Sequence, residues 1–536
     1  MFVLFVCFWL HPAISAAQQV LDRSYWERSA KEDLAASLQM TLNMNVAKNV
    51  IIFVGDGMGP NTVTAARIYR AGESSYLFWE KFPHVGAVKT YNNNKQVPDS
   101  ASTATAMFTG VKTNQNMLGL DATVNEFDCD SSLREEFRLK SIGRLAQEAG
   151  KSTGIVTTTR ITHATPAAMY AKSAHRDWEC DNSIPASASK CKDIGRQLIE
   201  DLPGKDFNVI MGGGRQILKT NSTDLPEDPI VMKKSCVRTD GSNLIKEWAD
   251  DKAARGLRYA VAENTKGLRD VDVEKTDYLL GIFANDHMAY EYKRDTSDAG
   301  MPSLKEMTIT ALNILKKNDN GFLLMVEGGL IDKAHHIGKA RVSLVEVLGF
   351  NDAINATMKL LQENGIEGET LVVVTSDHSH TLTISGYPTR GNSILGLADV
   401  SKVDGMPYTT LGYANSGKEN YHYAVLNGSV VREDPSKVDT KSFEYGAQAA
   451  VLQDENKHGG NDVFVYAKGP FAHLFHNMHE QNYITAVIKY AARLGEFQDI
   501  DKEPSSSSFL QPSSATVIMS LTIVISLLNL NKFNIS

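Results

Sequence analysis

Short apolar runs recur along this chain, most of them followed by a helical period. Val50-Ile51-Ile52-Phe53-Val54 ends in Gly55-Asp56-Gly57-Met58-Gly59, and a helical pattern then runs from Pro60 to Arg70. Gly154–Thr159, Phe207–Met211, Tyr278–Phe283, Phe322–Val326, Leu371–Thr375 and Val463–Ala467 repeat the apolar grammar. Helical periods fall at Ser141–Ala149, Asp193–Asp201, Leu304–Lys316, Ala340–Gln362 and around Ala486–Arg493. Runs that are continuously apolar, rather than alternating, predict strands buried on both faces. The expected fold is α/β, a mostly parallel central sheet with helices on both faces. From about Gly386 to Asn456 the rhythm gives way to Gly, Tyr, Ser and Asn, which predicts a small insertion made mainly of surface loop.

Composition places the chain. With 536 residues and 42% hydrophobic content it can bury a large core. A formal net charge of −8 speaks against a nucleic-acid groove, though not against one phosphate held by one arginine. Residues 1–17 form an apolar leader closing on Ser15-Ala16-Ala17, which predicts a secretory signal cut before Gln18. The body is expected over 18–505. Beyond it, a serine-rich spacer leads into Ala515–Leu530, which as a helix would span about 24 Å against a hydrocarbon core of about 30 Å. That reads 506–536 as a removed glycosylphosphatidylinositol signal, a short transmembrane tail being the alternative. Either places the body on the extracellular side of the plasma membrane. Cys7 belongs to the leader, leaving Cys129, Cys180, Cys191 and Cys236 to pair in an oxidising compartment, with the pairing open. Asn221, Asn355 and Asn427 stand in glycosylation sequons.

The candidate chemistry gathers at strand ends, where open α/β sheets bind ligands. Asp56 follows the first strand, His163 and Thr165 follow GIVTTT, Glu327 ends FLLMV, and Asp377-His378 ends LVVVT. Asp332 and His336, four apart, share a helix face and can grip one cation. His458, between Lys457 and two glycines, supplies a third imidazole. His335 points a quarter-turn away and suits a structural role or a supporting place behind the ligands. His336, His378 and His458 with Asp56, Asp332 and Asp377 suit two zinc ions, and oxygen-only Asp56, Thr165 and Glu327 suit magnesium. Two such metals can clamp an in-line phosphoryl displacement. Pro98-Asp99-Ser100-Ala101-Ser102 offers Ser100, which is expected to cap the helix that follows and, to act as a nucleophile, would need a metal for activation.

These stretches carry a resemblance. KNVIIFVGDGMG, VPDSASTATA, GIVTTTRITHATPAAMYA, VEGGLIDKAHH, TSDHSH and KHGGNDV are similar, in order and spacing, to the animal alkaline phosphatases, over essentially the whole mature chain. The resemblance implies a homodimeric, membrane-anchored hydrolase of broad phosphomonoester specificity and alkaline optimum. It implies Ser100 as the phosphorylated nucleophile, Arg176 as the phosphate-binding arginine, and Asp99 and His163 as supports around them. One zinc would sit at Asp56, Asp377 and His378, the other at Asp332, His336 and His458, and magnesium at Asp56, Thr165 and Glu327. It also implies a Cys129–Cys191 disulfide, leaving Cys180–Cys236 as the remaining pair, and a crown-like role for the insertion. Leu330, Lys333 and Asn461 depart from the family pattern beside the metal ligands. A family calcium site using Glu227, Phe283 and an acid near Asp298 is left open, because Ala284 stands where glutamate is expected. Two rival readings remain: a surface binding protein that kept the fold and lost turnover, and a related diesterase or sulfatase.

Overall fold

The structure is a computed structural model that describes residues 22–220 and 236–500. The leader, Asn221, Glu227 and the C-terminal anchor segment lie outside the described residues. The chain divides into two units, Met1–Asn43 and Met44–Ser536. The first contains the helix Arg23–Leu38, capped by Asp22, which accepts from the Tyr25 N–H. Among the described residues no helix is long and apolar enough to cross a membrane.

The second unit is built on a ten-stranded sheet. Its strands are β1 (Asn49–Gly55), β2 (His84–Lys89), β3 (Ser152–Arg160), β4 (Val209–Gly213) and β5 (Tyr259–Ala262). They continue as β6 (Tyr278–Ile282), β7 (Phe322–Gly328), β8 (Thr370–Ser376), β9 (Val463–Lys468) and β10 (Asn477–Glu480). The order across the sheet is β10-β2-β9-β8-β1-β7-β3-β4-β6-β5. Only β9 runs antiparallel to its neighbours. Every residue of β1, β7 and β8 is buried, as their unbroken apolar runs predict. Alternate side chains feed different layers: Ile51 and Phe53 join a core with Trp79 and Phe350, while Val50, Ile52 and Val54 join one with Phe108 and Met325.

Register places the chemistry. Val54 is opposite both Glu327 and Thr375, and Glu327 is opposite Thr157. Asp56, Glu327 and Asp377 therefore leave the sheet at nearly one level, at the C-terminal ends of adjacent strands.

The insertion from about Gly386 to Asn456, together with the strand Leu382–Ile384 just before it, carries more regular structure than its composition predicts. Leu382–Ile384, Leu411–Ser416 and Ala449–Leu452 form a three-stranded sheet, and two further short strand pairs join Leu397–Val400 to Pro407–Thr409 and Tyr423–Leu426 to Ser429–Arg432. Such strands are too short to print a period on the sequence, and their order comes from pairing with distant partners. Both disulfides form, Cys129–Cys191 and Cys180–Cys236. Asn355 and Asn427 are exposed. Asp298 is paired with Arg269 at 2.8 Å, and Ala284 is buried.

Candidate active site

The helix Ser100–Thr109 is where structure and sequence reading part first. Its cap is Asp99, not Ser100: the Asp99 carboxylate accepts from the Ala101 and Ser102 N–H groups at 3.2 and 3.3 Å. A carboxylate at this position satisfies free N–H groups and complements the helix dipole. Ser100, now the first helical residue, keeps its hydroxyl free of capping. Its Oγ lies 3.2 Å from His378 Nε2 and 3.5 Å from Asp56 Oδ1, fully shielded from bulk water.

Asp99 also anchors Arg176, whose Nη1 donates to Asp99 Oδ2 at 3.0 Å while Nη2 meets His163 Nε2 at 3.1 Å. Burial pushes Asp99 up, and Arg176 together with the Ser102 hydroxyl and the Asn116 amide more than reverses it. The guanidinium is thus held beside Ser100 by the residue that caps its helix.

Three imidazoles face the same space. His336 Nδ1 donates to the Asn456 carbonyl and His458 Nδ1 to the Pro98 carbonyl, both at 2.8 Å. A carbonyl only accepts, so each ring, when neutral, presents an Nε2 lone pair, and these nitrogens lie 3.2 Å apart. Asp332 adds its carboxylate 3.3 Å from His336 and 3.4 Å from His458. Acceptors crowded in this way repel one another and fit a shared cation. His378 Nε2 sits 3.1 Å from Asp377 Oδ2 and 3.5 Å from Asp56. Asp377 Oδ1 accepts from the N–H of Gly57 and of His378. Gly57 has φ +67°, and a Cβ there would lie 2.6 Å from the His380 ring, so both conformation and space require glycine.

The third group is oxygen-rich. Asp56 Oδ2, Thr165 Oγ1 and Glu327 Oε1 are buried without a hydrogen-bond partner, as is His163 Nδ1. Orphaned buried oxygens of this kind are costly unless a cation satisfies them. Burial, then the charges of Asp332, Asp377 and Glu327, drive Asp56 well above the usual carboxylate range. Burial likewise lifts Glu327 to about 7, against donation from Thr157 and Thr159. Asp332 goes the other way: burial opposes its ionisation, but His336 and Lys333 hold it well below the ordinary value. Ligand atoms from three sets, Asp332/His336/His380/His458, Asp56/Asp332/His378 and Asp56/His163/Glu327, each lie within 4.8 Å of one another. Of the predicted metal ligands, Asp56, Glu327, Asp332, His336, His378 and His458 fall within these groups, and Asp377 lies against His378.

A family model described as alkaline phosphatase matches residues 47–494. The chain belongs to the alkaline phosphatase family. It is 43% identical over 517 residues to the tissue-nonspecific isozyme of Gallus gallus, covering 95% of each chain. The tissue-nonspecific isozyme of Homo sapiens is 45% identical, with 88% of this chain and 89% of that one covered. The enzyme is a phosphoric monoester hydrolase. The fold is shared with the alkaline phosphatase of Thermus thermophilus at TM-score 0.57 and 23% identity, covering 87% of this chain and 97% of that one.

The structure adds one residue, His380, that the sequence reading missed. His380 bridges Asp332 Oδ1 at 2.5 Å and Asn456 Oδ1 at 2.7 Å, fixing the carboxylate between the two imidazoles. The signal was present in Asp377-His378-Ser379-His380, where residues two apart on an extended segment share a face. Lys333 Nζ lies 3.1 Å from Asp332 Oδ2, placing a cation beside the histidines. His335 is buried between Thr62 and Tyr413, at 3.0 and 2.8 Å, and packs rather than ligates.

Proposed function

We propose that this alkaline phosphatase hydrolyses a broad range of phosphate monoesters through a phosphoserine at Ser100. The observation that carries this reading is the release of the Ser100 hydroxyl from helix capping, so that it points at His378 and Asp56 with Arg176 alongside. Ser100 Oγ attacks phosphorus as the bond to the leaving oxygen breaks. The Arg176 fork, held by Asp99 and His163, pairs two phosphoryl oxygens and orients the group for in-line attack. Water then displaces Ser100 from phosphorus, freeing inorganic phosphate and restoring the hydroxyl. Two inversions give net retention.

Zinc at Asp56/Asp377/His378 and at Asp332/His336/His458, with magnesium at Asp56/Thr165/Glu327, would supply charge neutralisation and nucleophiles deprotonated near neutral pH. The protein's part is to hold those ligands apart from water and in fixed tautomers. The reading includes an alkaline optimum. We place the enzyme as a homodimer on the outer cell surface, lipid-anchored after removal of 506–536, with the body spanning 18–505. The apolar tail and the paired cysteines support the extracellular, lipid-anchored part of that placement.

The test compares wild type with Ser100→Ala on an aryl phosphate at alkaline pH, with and without chelator. Loss of at least about 10³-fold in the variant is expected, together with loss on chelation. Equal rates would sink the nucleophile assignment. No turnover in the metal-loaded wild type would favour a binding protein, and faster cleavage of a diester would favour a diesterase.

A further inference from the structure

A second histidine cluster lies at the opposite edge of the sheet. Parallel strands β1, β7 and β8 end at the active site; β2 and β10 run in the same direction as they do, because each pairs with β9 or β2 in the sense that restores it. His84 opens β2, and His476 immediately precedes β10, so both stand at the N-terminal edge, away from Ser100. His84 Nδ1 lies 2.9 Å from His476 Nε2. His473, in the turn Ala472–Phe475, places its ring centroid 6.1 Å from that of His84. Its Nδ1 is shielded from solvent and has no hydrogen-bond partner. None of these rings has a part in phosphate ester hydrolysis.

We propose that His84 and His476, joined by His473 after a side-chain rotation, form a binding site for a late first-row divalent transition metal. Two imidazole nitrogens already lie at the separation that adjacent ligands of one metal require. The third ring, its centroid 6.1 Å from that of His84, carries an unsatisfied nitrogen. Imidazole is the donor that zinc, copper and nickel favour, and an all-nitrogen set discriminates against magnesium and calcium. His84 is buried and His476 exposed, which gives a metal a fixed base and an open approach. Burial, then the neighbouring His476 and His473, lowers His84 to about 4, so its lone pair is available throughout the neutral and alkaline range. Bound there, the ion would tie the entrance of edge strand β10 to β2. Edge strands have one unpaired side and are held by fewer bonds than central ones.

The test uses the full enzyme, first saturated with zinc and magnesium and then dialysed against nickel. Wild type is expected to retain about one further nickel per chain and to melt at higher temperature in its presence. His84→Phe and His476→Gln should each weaken nickel binding by more than about tenfold and abolish the nickel-dependent rise in melting temperature. Hydrolysis of an aryl phosphate should be unchanged in both. His476 lies on the surface, so its variant reads the site even if His84→Phe folds poorly. Equal nickel retention in wild type and His476→Gln, or none in wild type, would overturn the proposal and leave His84–His476 as a neutral hydrogen-bonded pair.

Discussion

Two clusters of buried charge lie side by side behind the sheet's C-terminal edge, and they are built on opposite plans. In one, Arg160 forks onto Glu179 at 2.7 and 3.0 Å and reaches Asp286 at 2.7 Å. The Thr162 hydroxyl and the His287 N–H fill remaining acceptor positions. In the other, Asp56, Asp332, Asp377 and Glu327 meet three imidazoles, and several oxygens find no donor. The clusters touch where His163 meets His287 edge to face, ring centroids 5.3 Å apart. The first is complete as protein and stiffens the wall behind His163. The second is complete only with cations. A buried pair that is fully hydrogen-bonded is a structural element, whereas excess buried acceptors are a binding site.

The contrast can be broken by mutation. The largest effect is expected in the finished cluster: Arg160→Met strands Glu179 and Asp286 and should cost about 3–5 kcal/mol of stability, equally with metals or chelator, measured by denaturant unfolding. A cost seen only in metal-loaded enzyme would merge the two clusters into one.

Asp56→Asn should give opposite signs in the unfinished cluster. The native metal-free carboxyl titrates well above its unfolded value, so the folded state binds the extra proton and loses stability as pH rises through the native pKa. Removing that charge should raise metal-free stability at alkaline pH by about 1–3 kcal/mol, with the gain vanishing in acid. Activity after metal loading should be lost. Destabilisation in chelator at alkaline pH would contradict the repulsive reading.

His380→Gln loosens the clasp on Asp332, and a 10–100-fold weaker metal affinity, about 1.4–2.7 kcal/mol, is expected from chelator competition. Turnover at saturating zinc should fall much less. A fall in turnover without any change in metal affinity would instead place His380 against substrate.

The smallest effect tests burial without a cluster. Glu346, on the helix Ala340–Glu363, is lifted by burial to about 8 although it accepts from the Glu291 N–H. Between the unfolded value and about 8 the native state holds the extra proton, so its stability contribution declines as pH rises through that window. Glu346→Gln should therefore gain about 1 kcal/mol above pH 8 and little near pH 5, read from melting temperature.

Much of the site was legible along the chain because Asp56, Glu327 and Asp377 stand at the ends of strands whose apolar runs are unbroken. Asp56, Glu327 and Asp377 needed only the rule that α/β sheets work at their C-terminal ends, and Asp332 with His336 needed only helical spacing. The cap was misread because Asp99 and Ser100 are both good caps, and the choice depends on where the first turn begins. Asp99 is also engaged by the Arg176 ion pair and the Asn116 amide, which come from elsewhere in the fold.

Local chemistry by itself therefore determined the strands, the helices and the inventory of donors, since periodicity and residue type act over a few residues. Only the tertiary structure decided how those donors divide. Register brings Glu327 and Asp377 level with Asp56, and carbonyls of Asn456 and Pro98 choose the tautomers of His336 and His458. The same long-range packing set His84 beside His476 across the sheet edge and closed Arg160 around Glu179 and Asp286. Burial, which turns an ordinary carboxylate into a metal ligand or an ion-pair partner, is a property of the assembled chain.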